Sequence, residues 1–293
     1  MRLANRAGDA EIRQAWSWMV AYTTVMVHVD VDGKPDARIR LAATLADRFM
    51  ATLIGISSCI LPPYPAEGAY FVTPELIDEE RRDMAVSLKR AEEAFRNLAG
   101  LGRTRIEWRS AIEVPDDYLA ANARSGDLLV IARDEGPGGI CRTINPGTTL
   151  LTTGRPVLLV PPGVDTLRAE HIVIGWKECR EARRAMADAL PFLHQAKAVS
   201  IVEVCEAGIE ASGRQHVEDV AQYLARHRIA VASASAVPAA GGAAAELIRC
   251  ATAENADLIV TGAYGHTRLS EWIFGGVTRN LLAASPVCCL MAN

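Results

Sequence analysis

Residues 257–293 read "DLIVTGAYGHTRLSEWIFGGVTRNLLAASPVCCLMAN": an apolar run, glycines at 262, 265, 275 and 276, a helical pattern and a second apolar run. Residues 127–163, "DLLVIARDEGPGGICRTINPGTTLLTTGRPVLLVPPG", keep both apolar runs but place their glycines elsewhere. "DLLVIA" begins at Asp127 and "DLIVTG" at Asp257, while "RPVLLV" begins at Arg155 and "SPVCCL" at Ser285, so both pairs are offset by 130 residues. The two segments therefore align without a gap, as two copies of one strand–loop–helix–strand unit do.

The repeat extends towards the N-terminus. "TTVMVHVD", closing at Asp30, corresponds to "HIVIGWK", closing at Lys177. Each precedes a helix-period pattern, Ala37, Leu41, Leu45 and Phe49 in one copy and Ala182, Met186 and Leu190 in the other. The β-rich runs "ATLIGIS" and "AVSIVEV" follow. Each half thus predicts five strands alternating with helices, an α/β fold made of two tandem open parallel five-stranded sheets with helices on both faces. The halves are set at 1–162 and 168–293, with the Pro- and Gly-marked "PPGVDTLRAE" between them. The first half is longer in its middle, where the loop "LPPYPAEGAYFVTP" leads into the charged amphipathic helix "ELIDEERRDMAVSLKRAEEAFRNLAG", closed by Gly100.

Composition agrees with this class. A chain of 293 residues suits two domains of roughly 150. Aromatics are only 5% of the chain, and Ala, Val, Leu and Ile carry the apolar content. A net charge of −4 gives no basic footprint for nucleic acid. Seven scattered cysteines without a CxxC pair suggest neither a disulfide framework nor a zinc site. Without a long apolar run or a signal-peptide core, the expectation is a cytoplasmic protein with no membrane partner.

The glycines sit where chemistry is expected. Gly262, Gly265 and Gly275 are spaced G-x2-G-x9-G, and Gly276, Val277 and Thr278 lead into the last helix. A strand-to-helix connection of a parallel sheet opens on its carboxyl edge, where such folds bind ligands. Glycine there lets backbone N–H groups approach a phosphate, and the helix N-terminus adds its own free donors. His266 and Arg268 lie in the same loop, and Trp176 and Trp272 flank the site as base-stacking candidates. Their bland alternatives are solvent-facing loop side chains and core packing. Cys288 and Cys289 alternate across the last strand, where burial is the default.

On these residues the chain resembles the universal stress protein family in its tandem two-domain form, from about Ala21 to Asn293. The resemblance implies an adenine nucleotide alpha hydrolase-like, Rossmann-like fold packed as a pseudodimer. It also implies that ATP or another adenine nucleotide, with or without Mg, is held by the glycine loop. In that reading Val204, closing "SIVEV", lies beside the adenine, and Lys177 stands where the family carries an Asp against the nucleoside. Gly276 replaces the usual Ser or Thr, with Thr278 two residues later.

The first copy inverts the pattern. It keeps Asp30 but has Ala132, Glu135, Asn145 and Pro146 at the loop positions, so its site is expected to be dead. The family also implies dimerisation through the last strands, here an intrachain pseudodimer or a homodimer, and an unidentified protein partner. No P-loop, GxSxG or HExxH motif is present, and dedicated catalysis is not expected. The expected role is a ligand-responsive accessory or signalling protein in the stress response; the alternative is a ligand-free interaction scaffold.

Overall fold

The computed structural model describes residues 21–32, 37–61, 73–100, 105–133, 139–206, 208, 210–239, 241–264 and 276–293. Contacts divide the chain into two units, an N-terminal one of Thr24–Leu167 together with Leu281–Pro286, and a C-terminal one of Arg168–Asn280 and Val287–Asn293 together with the described residues before Thr24.

In the N-terminal unit, β1 (Thr24–His28), β2 (Thr52–Ser58), β3 (Ile106–Ala111), β4 (Leu128–Ala132) and β5 (Val157–Val160) form a parallel sheet in the order β3-β2-β1-β4-β5. The helices α1 (Ala37–Phe49), α2 (Pro74–Ala99), α3 (Pro115–Asn122) and α4 (Pro146–Thr152) alternate with them. Strands β4 and β5 bury consecutive residues, because a parallel strand covered on both faces has no solvent side. The long α2 begins at an N-cap Thr73, whose hydroxyl accepts the Leu76 N–H at 3.3 Å, and Pro74 fills the first position, where no N–H is needed. Its apolar face is Met84, Leu88, Ala91, Phe95 and Ala99, and it stops at Gly100, whose φ of 98° is outside the helical range.

In the C-terminal unit, β6 (His171–Trp176), β7 (Ala198–Cys205), β8 (Val231–Pro238), β9 (Leu258–Gly262) and β10 (Cys288–Ala292) form a parallel sheet in the order β10-β9-β6-β7-β8. The helices are α5 (Arg180–Asp188), the short α6 (Leu190–Leu193), α7 (Glu210–Arg226), α8 (Ala243–Ala253) and α9 (Gly276–Ala284). Tyr22, although it precedes β1, belongs to this unit: its hydroxyl donates to the Asp188 carbonyl at 2.5 Å and its ring meets Phe192.

The repeated aspartate has the same task in both copies. Asp127 accepts the Thr24 N–H at 3.0 Å, tying the start of β4 to β1. Asp257 accepts the N–H groups of Glu170 and His171 at 3.2 and 3.1 Å, tying β9 to β6. Both pin the register of a central strand pair at the end away from the carboxyl edge.

Among the described residues no helix is long and apolar enough to cross a membrane. Cys288 and Cys289 are core residues, each 1% exposed, and burial pushes the Cys288 thiol up to about 12, which leaves it protonated and inert.

Candidate functional site

In the C-terminal sheet the chain leaves β6 towards β7 and β8 and returns on the other side through β9 and β10. The strand order reverses between β6 and β9, and there the loops after the two strands diverge and leave a crevice. A cavity of about 250 Å³ lies at this carboxyl edge. It is lined by the ends of β6, β7 and β9, and by residues at or near the starts of α5, α8 and α9.

Of the residues singled out in the sequence, Trp176, Lys177, Val204, Gly262, Gly276, Val277 and Thr278 all line this cavity. Gly265, His266, Arg268 and Gly275 lie outside the described residues, as do Trp272 and Glu135. Cys179, Ala182, Val202, Leu247 and Tyr264 also line it, and sequence reasoning missed them. Val202 was legible in principle, two residues before Val204 on the same face of β7. Leu247 comes from α8, a helix without a motif, and only the fold brings it to the site.

The two described glycines act differently. A Cβ on Gly262 would fall 2.5 Å from the Ala182 nitrogen and 2.6 Å from the Glu181 carbonyl carbon. Gly262 thus lets the first turn of α5 rest directly on the end of β9. A Cβ on Gly276 would meet nothing within 4 Å among the described residues, which leave this position open at the start of α9. Neither adopts a positive φ; among the described residues of this turn the left-handed conformation falls on Tyr264, at φ 58°. For a residue with a side chain that conformation costs about 1 kcal/mol or more.

Thr278 holds the turn together. Its hydroxyl oxygen accepts the Tyr264 N–H at 3.3 Å, joining the end of β9 to the first turn of α9. Thr278 is buried, and its hydroxyl is a donor as well as an acceptor. The C-terminal residue fixes the other side of the turn: Asn293 donates to the Ala263 carbonyl at 2.9 Å, and Ala263 donates to the Ala292 carbonyl at 2.8 Å.

The cavity walls are apolar at Val202, Val204 and Leu247, and the one charged side chain among the described lining residues is the exposed Lys177. Trp176 is 7% exposed, and its indole nitrogen is buried without an acceptor among the described residues. An orphaned donor costs about 1–3 kcal/mol. The α5 N-cap, Cys179, makes no capping hydrogen bond from its side chain. Burial raises the pKa of the Cys179 thiol, against the opposing pull of nearby backbone N–H groups, so it stays neutral; burial likewise raises Tyr264. Among the described residues no cluster of three or more His, Cys, Asp or Glu stands ready for a metal.

The N-terminal counterpart is closed by its own side chains. Asp30 accepts a 2.6 Å hydrogen bond from Arg38 on one oxygen and a 2.6 Å bond from the Thr143 hydroxyl on the other, with His28 Nδ1 at 3.5 Å. Burial opposes ionisation of Asp30, but His28, Arg38 and the two hydrogen bonds outweigh it and hold the pKa at about 2. At the helix end, Asn145 caps α4 by accepting the Thr148 N–H at 2.9 Å and donates its own N–H to Asp116 at 3.0 Å. Pro146, next in line, has no N–H to offer.

Residues 168–293 match the model of the Universal stress protein family. Among solved structures, the fold is similar to that of a universal stress protein from Archaeoglobus fulgidus, with a TM-score of 0.67 and 12% identity over 92% of this chain and 98% of that one. It is also similar to a functionally unknown protein from Pseudomonas aeruginosa, with a TM-score of 0.58 and 16% identity over 94% of this chain and 93% of the other. No curated protein matches the sequence. At these identities the structural likeness speaks for the fold, and the family model speaks for the second half. The C-terminal half, with its crevice between β6 and β9, is a domain of the universal stress protein family, and the N-terminal half repeats that domain's strand order in the same chain.

Proposed function

We propose that the C-terminal domain binds ATP or a related adenine nucleotide in the cavity between β6 and β9, and that the protein acts as a ligand-responsive accessory or signalling factor rather than an enzyme. One observation carries the reading. A single cavity at the strand-order reversal brings together Trp176 and Lys177 from β6, Val204 from β7, Gly262 from β9 and Gly276–Thr278 from α9. The start of α9 offers backbone donors and the positive end of a helix dipole to a phosphate, with the Thr278 hydroxyl beside them. The apolar wall suits a base, and the Trp176 N–H, which has no acceptor among the described residues, supplies a donor. A bound nucleotide would alter what partners meet only through differential affinity for two states of the loop.

The test is calorimetric titration of the full chain with Mg-ATP, beside a Gly265→Glu, Gly275→Asn double variant that imitates the first copy's loop. Micromolar binding lost in the variant is the expected result. Binding to neither protein, with both folded, favours the ligand-free interaction scaffold instead.

A further inference from the structure

The most unusual feature of the cavity is the sign of its charge. Where the N-terminal copy ends its first strand in Asp30, the C-terminal copy ends β6 in Trp176 and then Lys177, and the described lining residues contain no carboxylate.

The strand order says which part of a nucleotide meets Lys177. The phosphate donors belong to the β9 side, at Gly276 and Thr278, and the apolar wall to the β7 side, at Val202 and Val204. Strand β6 lies between them. Neighbouring strands are about 4.8 Å apart, so the base and phosphate ends are separated by roughly 10 Å, with the sugar over β6 where Lys177 emerges. A carboxylate at such a place accepts hydrogen bonds from the free hydroxyls of a ribose, whereas a cation takes a phosphate esterified to the same ring. An ammonium has three donors and no acceptor.

We propose that this site selects an adenine nucleotide carrying a second phosphate on its ribose, at the 2′ or 3′ position, with Lys177 as the specificity-determining residue. The inference rests on the nucleotide reading above. The charge that Lys177 supplies belongs to the chain itself, so the preference holds in the absence of divalent cations.

The experiment titrates the full chain, in EDTA, with adenosine 5′-monophosphate, adenosine 2′,5′-bisphosphate and adenosine 3′,5′-bisphosphate. The wild-type protein is expected to bind at least one bisphosphate roughly tenfold more tightly than the monophosphate, a gap of the size that hydrogen bonds to charged groups produce. Added salt should narrow the gap, because Lys177 is exposed. Lys177→Arg should keep the preference and Lys177→Asp should reverse it. Equal affinity for all three ligands in the wild type, or a bisphosphate preference that survives Lys177→Asp, overturns the inference while leaving nucleotide binding intact. Binding of none of the three by a folded protein removes this inference and, together with a failed ATP titration, the nucleotide reading beneath it.

Discussion

The two copies close their first strands with opposite charges and treat the space beyond them in opposite ways. In the N-terminal unit, Asp30 turns inward to Arg38 and Thr143, and Asn145 caps the adjacent helix, so the Asp30 carboxylate and the start of that helix are engaged within the fold. In the C-terminal unit, Lys177 is exposed at a cavity, the Trp176 N–H has no acceptor among the described residues, and the α5 N-cap makes no capping hydrogen bond from its side chain. A strand edge can spend its polar groups on the fold or keep them for a ligand. Asp30 belongs to the first kind, and the edge around Lys177 opens on a cavity.

The largest effect should come from breaking the closed copy. Asp30→Asn leaves the buried Arg38 guanidinium without its counter-charge and should cost about 3 kcal/mol or more, read in the transition of the N-terminal unit by scanning calorimetry. The wild-type protein carries a related pH signature. Since the folded pKa of Asp30 is about 2, below that of an unfolded aspartate, its contribution is complete above roughly pH 4 and is lost as pH falls towards 2. Acid titration of Asp30→Asn should lack that increment; an unchanged acid limb would show that Asp30 does not hold this edge together.

Next in size is Gly262→Ala. Its Cβ would strike the backbone of α5 rather than a movable side chain, so a loss of about 2–3 kcal/mol is expected in chemical denaturation. Gly276→Ala, with open space around its Cβ, should leave stability within about 0.5 kcal/mol of the wild type. Equal losses at the two positions would erase the distinction between a packing glycine and an open one.

Thr278→Val removes the acceptor of the Tyr264 N–H and should cost about 1 kcal/mol of stability. If the nucleotide reading holds, its affinity should fall further than its stability, since the hydroxyl serves both the turn and the phosphate. The smallest effect is reserved for Trp176→Phe. Deleting a donor that the described residues leave unpaired should change stability by less than about 1 kcal/mol while weakening the ligand, and a large destabilisation would mean that the indole serves the core instead.

The repeat and the strand and helix alternation were legible because they rest on local periodicity and on a gapless offset between Asp127 and Asp257. The site was legible in part. Trp176, Lys177, Val204, Gly262, Gly276, Val277 and Thr278 do meet at one cavity, since every strand-to-helix connection of a parallel sheet emerges on the same edge. The sequence by itself determined that there are two copies, that their sheets are parallel, and that their loops differ in glycine placement. Only the tertiary structure decided what those differences mean. It showed that Gly262 answers to the backbone of α5, that the left-handed turn falls on Tyr264, that Leu247 walls the cavity from a helix without a motif, and that Asp30 is bound by Arg38 and Thr143. Each of these depends on which distant segment the fold presses against the residue, and close approach across a packed sheet leaves no periodic trace in the chain.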